Sequence, residues 1–140
     1  MKSSILLRIA SALSLIFCAG HSYEAYDTAH TSDPGEAAVF MAMQSYRLEM
    51  MGAMRSHWDF YRGYSLLFSA TLLMLAVLLW QLAAAVRSDA VRIRPLLATL
   101  FLGCMGFTIL GGLYFFFAPA AFSAAVAICI ALAFNSARSG

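Results

Sequence analysis

The sequence predicts an all-α protein, an integral membrane four-helix bundle with an extra amphipathic surface helix between spans one and two. Three observations carry that prediction. Hydrophobic residues make up 62% of the chain and charged residues 11%, with a mean hydropathy of +0.78. A water-soluble domain of 140 residues could not cover itself with so little polar surface. The apolar runs are also long enough, since roughly 20 helical residues cross a hydrocarbon core of about 30 Å. Finally, the basic residues are segregated: Lys2, Arg8, Arg87, Arg92, Arg94 and Arg138 group at the amino terminus, the second connection and the carboxyl terminus. The segment 21–62 sets Arg47, Arg55 and Arg62 against six acids. By the positive-inside rule both termini face the cytoplasm and the acidic segment faces out.

One transmembrane domain, residues 1–140, is expected, with spans at about 4–20, 60–86, 95–117 and 120–135 and an outer amphipathic segment at about 35–54. In span one, Lys2 and Arg8 followed by the uncharged run Ile9–Gly20 also fit a secretory signal peptide. A retained helix is the expectation, because Arg8 can extend its charge toward the interface. Phe17 before Cys18 is too bulky for a lipoprotein signal. Cys18, Cys104 and Cys129 all lie in apolar runs without a CxxC pair, so they read as small buried hydrophobes.

After span one the chain turns polar; Pro34 and Gly35 mark a turn, and Ser32 or Asp33 could cap the helix that follows. Phe40, Met43, Arg47 and Met50 then recur at helical spacing, and residues 41–54 hold five methionines. A surface-lying amphipathic helix is expected there, the methionines packing as apolar groups or, alternatively, binding copper. Gly103, Gly106, Gly111 and Gly112 permit close helix contact in span three. The stretch YFFFAP, 114–119, puts aromatic anchors at the outer interface before Pro119 begins span four.

Candidate function concentrates at the outer side. On a helical wheel Arg55, Asp59 and Arg62 share an arc of about 60°, so one carboxylate sits between two guanidiniums, with Trp58 beside it and Ser65 and Ser69 continuing the face. In span one Ser11, Ser14, Cys18 and His21 share a face, with Glu24 a turn beyond. Both faces are costly against lipid, so they are expected to turn toward each other inside the bundle. Arg47 and Glu49 could close over them. The arginine–aspartate set reads either as a structural clasp or as a contact for an anionic head group or carboxylate. Trp58, Tyr61 and Tyr64 read as interface anchors. The pair His21 and Glu24 has a spacing that could hold a metal, but only His30 and His57 could complete such a site, and no metal or other cofactor is expected. No phosphate loop, nucleophile elbow, dinucleotide fingerprint or HExxH is present. A net charge of +2 without a basic, aromatic-laced helix excludes nucleic acid as a partner.

The stretch Met-Gly (Met51, Gly52), then Arg55, Ser56 and Trp58-Asp59-Phe60-Tyr61, then Gly63 and Tyr64, resembles the signature of an uncharacterised family of small bacterial four-helix integral membrane proteins. The likeness extends to AGH at the end of span one, LLWQL at the end of span two and YFFFAPAAFS. It departs at Arg47 and Glu49, where a histidine and an aspartate are expected, which argues against metal at this strip. The resemblance implies the fold and a bacterial inner-membrane location, and no activity. The functional expectation is a lipid or other small amphipathic ligand bound in an outward-facing, polar-mouthed cavity by His21, Glu24, Arg47, Arg55, Trp58, Asp59, Tyr61 and Arg62. The alternatives are an intramembrane isomerase or oxidoreductase acting on a hydrophobic substrate, with His21 or Asp59 moving the proton, and a homo-oligomeric or structural subunit joined through the glycines of span three.

Overall fold

The computed structural model describes residues 2–28 and 30–137. Five helices and one hairpin follow in order: α1 Lys2–Thr28, α2 Pro34–Ser45, β1 Arg47–Met50, β2 Ala53–Ser56, α3 His57–Ala85, α4 Ala90–Tyr114 and α5 Phe117–Ser136. Helices α1, α3, α4 and α5 are each long and apolar enough to cross a membrane. The chain forms two compact units, one of residues 1–18 with 72–140 and one of residues 19–71.

The first unit is a four-helix core. Each helix contributes one large aliphatic side chain at 0% exposure: Leu7, Leu79, Leu97 and Ile130. Smaller residues, among them Ala10, Ala83, Ala127 and Ala133, let the backbones approach. In lipid such packing, rather than transfer from water, holds helices together. Ser4 Oγ donates to the Ala83 carbonyl at 2.6 Å and Ser11 Oγ to the Ala76 carbonyl at 2.7 Å. Donors and acceptors are both spaced by seven residues, the repeat of a left-handed antiparallel pair. Ser14 instead turns back to its own helix, on the Ala10 carbonyl at 2.9 Å. Arg8 places its guanidinium 5.0 Å from the Trp80 ring centre, and Arg94 lies 4.3 Å from that of Phe134; the aromatic faces offset part of the cost of a charge among apolar neighbours. Cys104 is buried in this core, and none of Cys18, Cys104 and Cys129 is in a disulfide.

Helices α4 and α5 form an antiparallel pair. Of the four glycines expected to pack, Gly111 does so: a Cβ there would lie 3.1 Å from the Ala120 nitrogen, whereas Gly103, Gly106 and Gly112 have nothing within 4 Å. The helix bounds differ from expectation for local reasons. Asp89 caps α4 through the Arg92 amide at 3.0 Å, so the helix begins before Pro95, which removes only the bond to the Val91 carbonyl. α4 closes at Tyr114, and Pro119 falls in the first turn of α5, where its missing amide hydrogen costs little.

The second unit corrects two expectations. Helix α1 runs to Thr28 rather than ending near residue 20, because no proline or glycine interrupts residues 21–28. The amphipathic segment 35–54 is not one helix. α2 stops at Ser45, and residues 47–56 pair as an antiparallel hairpin with Met50 opposite Ala53. Met51 at φ 53° and Gly52 at φ 82° make the two-residue turn. Positive φ at both central positions is the type I′ geometry that suits the twist of paired strands, and Met51 is the strained member.

Candidate functional site

The hairpin hands directly over to α3. Ser56 ends β2, is 3% exposed, and donates both its amide (2.8 Å) and its hydroxyl (3.0 Å) to Asp59 Oδ2. The Asp59 amide in turn donates to Ser56 Oγ at 3.1 Å. This is a reciprocal capping box with aspartate in the usual glutamate place, and such a cap contributes about 1 kcal/mol. The expected stripe of Arg55, Asp59 and Arg62 on one helix is therefore broken: α3 begins at His57, so Arg55 stands on a strand. Its guanidinium donates to the Met54 carbonyl at 3.0 Å. Arg55 and Arg47 still lie close enough for their charge to act on the Asp59 carboxylate. Among the described residues none of Arg47, Arg55 and Arg62 forms an ion pair, and all three are exposed.

Aromatic rings supply the packing here. Trp58 and Tyr61, one turn of α3 apart, stack at 5.5 Å, and Phe40 of α2 lies 4.6 Å from Trp58 and 6.3 Å from Tyr61. Tyr46 and His57, immediately outside the paired residues Arg47 and Ser56, stack at 5.6 Å and 10°, which extends the ladder by one cross-strand pair. A two-stranded hairpin is marginal alone, and offset aromatic pairs add about 0.5–1.5 kcal/mol each.

His21 belongs to a different contact in the same unit. Its Nε2 is 3.2 Å from the Ser65 carbonyl and 3.3 Å from Ser65 Oγ, and its ring makes a T-shaped contact with that of Phe68, the centroids 4.9 Å apart. A protonated Nε2 donates to the carbonyl and a bare one accepts from the hydroxyl, so either tautomer is satisfied. Ser22 Oγ donates to Ser69 Oγ at 3.0 Å. Within residues 19–71, His21 and Ser22 of α1 thus meet Ser65 and Ser69 of α3, so of the two faces expected to turn together only the His21–Ser65 contact joins predicted residues, and Arg55, Asp59 and Arg62 take no part in it. Glu24 stays outside: it is exposed and forms no hydrogen bond or ion pair among the described residues.

Trp58, Tyr61, Arg47, Arg55 and Asp59 thus group around the hairpin, His21 pairs with Ser65, and Glu24 and Arg62 make no polar contact with either group among the described residues. Sequence reasoning gave no role to Ser56 or to the Tyr46–His57 stack, and it placed Phe40 only on an apolar stripe. The Ser-x-x-Asp spacing was the available signal for the cap. Comparison with family models, with curated proteins and with solved structures gives no match.

Proposed function

We propose that the chain is a multi-pass protein of a bacterial cytoplasmic membrane, with both termini inside, that binds a lipid or other small amphipathic molecule at the outer leaflet. The supporting observation is the Phe40–Trp58–Tyr61 stack at the end of the hairpin that carries Arg47 and Arg55, whose exposed guanidiniums, like that of Arg62, form no ion pair among the described residues. Aromatic rings favour the depth at which head groups begin, and a guanidinium matches a phosphate or carboxylate with two parallel hydrogen bonds. Asp59 then acts as the helix cap that aims this surface rather than as a ligand, and Glu24 has no part in it. The family resemblance belongs to the same proposal: its Met-Gly is the hairpin turn, its Ser and Asp the cap, and its Trp and Tyr the stack.

Native mass spectrometry of the full chain released from mild detergent tests this reading. Wild-type protein is expected to retain an anionic amphiphile that R55A/W58A loses. Equal retention by both, or none by either, overturns it. A second reading, a subunit joined through α4, has the open space around Gly103 and Gly106 in its favour. It predicts that G106L releases a partner or dissociates an oligomer, and a wild-type chain that is monomeric and alone removes it.

A further inference from the structure

In the unit formed by residues 1–18 and 72–140, Arg94 has no counter-ion among the described residues. It stands in the second turn of α4, half-buried, with its guanidinium carbon 4.3 Å from the centre of the Phe134 ring of α5. Its Nε is buried and has no hydrogen-bond partner, the one such atom on any buried or half-buried side chain among the described residues. A buried N–H without an acceptor is unfavourable, the more so on a charged group, so the guanidinium calls for an anion. The chain has no carboxylate to supply. Against Lys2, Arg8, Arg87, Arg92 and Arg94, the described part of this unit holds one acid, Asp89. That acid is occupied: Oδ1 accepts from the Arg92 amide and Oδ2 lies 3.5 Å from Arg92 Nε.

The surroundings of Arg94 suit an amphiphile better than a free ion. Ala98 and Phe101 follow it by four and seven residues, the spacing of one helix face, and both are half-buried. The charge therefore stands at the head of an apolar strip that the chain covers only in part. We propose that Arg94, held over Phe134, binds the phosphate of an anionic phospholipid whose acyl chain lies along Ala98 and Phe101. The terminal nitrogens are not enclosed and give the phosphate its first approach, and a small slide of the guanidinium across the ring brings Nε into a two-bond grip. The inference rests on the reading of the chain as membrane-spanning, and it is independent of the ligand proposed for the hairpin.

Retention of the full chain in the membrane fraction after a carbonate wash tests the membrane reading by itself. The lipid site is then tested on the full chain carrying R55A/W58A, so that the hairpin contributes no ligand, in a neutral, phosphate-free detergent. Native mass spectrometry follows titration with dioleoyl phosphatidylglycerol, with dioleoylglycerol and with inorganic phosphate. Phosphatidylglycerol is expected to bind, and dioleoylglycerol, which lacks the phosphate, is not. R94Q is expected to weaken binding by about tenfold. F134L, which frees the guanidinium and keeps its charge, is expected to weaken it as well. R92Q removes a charge from the same turn of chain and leaves the capped amide in place, and it is expected to bind as before. Undiminished affinity in R94Q overturns the proposal, as does an equal loss in R92Q and R94Q, which marks general attraction to positive charge. Inorganic phosphate bound as tightly as the lipid overturns the lipid assignment in favour of the free ion. Should R94Q fail to fold, F134L decides the matter, and unchanged affinity there overturns the proposal.

Discussion

Among the described residues, 19–71 contain a single buried side chain, the capping Ser56, while every buried apolar residue belongs to residues 2–18 and 72–137. The two units therefore reach order by different means. One relies on close approach of helices around Leu7, Leu79, Leu97 and Ile130, with serines bonding between backbones. The other relies on a cap, a two-residue turn and stacked rings whose faces stay half open. A chain can thus keep a rigid apolar body while presenting a segment that is held locally and leaves its charged groups available.

The largest effect that would sharpen this contrast is expected from L79A, which should cost about 2–5 kcal/mol of stability as a core cavity, read as a lowered unfolding midpoint in detergent. F40A should lose about 1–2 kcal/mol of local stacking, with faster amide exchange confined to residues 34–64. Exchange that spreads into α4 and α5 would break the division. G111A should cost about 1–3 kcal/mol, because its Cβ meets the Ala120 backbone. G106A, facing open space, should be neutral or stabilising by up to about 1 kcal/mol. S56A should cost about 1 kcal/mol and fray the first turn of α3, visible as loss of protection at His57–Asp59. The smallest effect is a gain: M51G relieves a positive φ and should add up to about 1 kcal/mol to hairpin protection. Loss of protection in M51G would show that the Met51 side chain contributes more than its backbone strain costs.

What was legible in the sequence follows the same division. The four apolar helices were visible because helices apolar enough to cross a membrane read as long uncharged runs, and Asp33 caps α2 and Pro119 stands in the first turn of α5 as their chemistry suggested, whereas Pro34, read as part of a turn, is the first residue of α2. Ser11 and His21 were readable from their helical spacing and each bears a contact to α3, whereas Ser4 and Ser22, which bear the neighbouring contacts, lay off the face that was read. The hairpin was hidden, since two strands of four residues give little alternation to read, and Met51-Gly52 lacks the asparagine that usually advertises such a turn. Extending the period of α3 back into β2 put Arg55 on the face of Asp59. The actual partner of Asp59, Ser56, lay three residues away in plain view.

The hydroxyl of Ser11 has a consequence for how the protein is made. Its acceptor, the Ala76 carbonyl, lies 65 residues further along the chain, so the bond cannot form until α3 has been made. Ser14 on Ala10 shows what a serine of α1 can do without α3, a bond to the carbonyl one turn behind. The contact between the first two long helices thus joins parts of the chain that are made far apart in time.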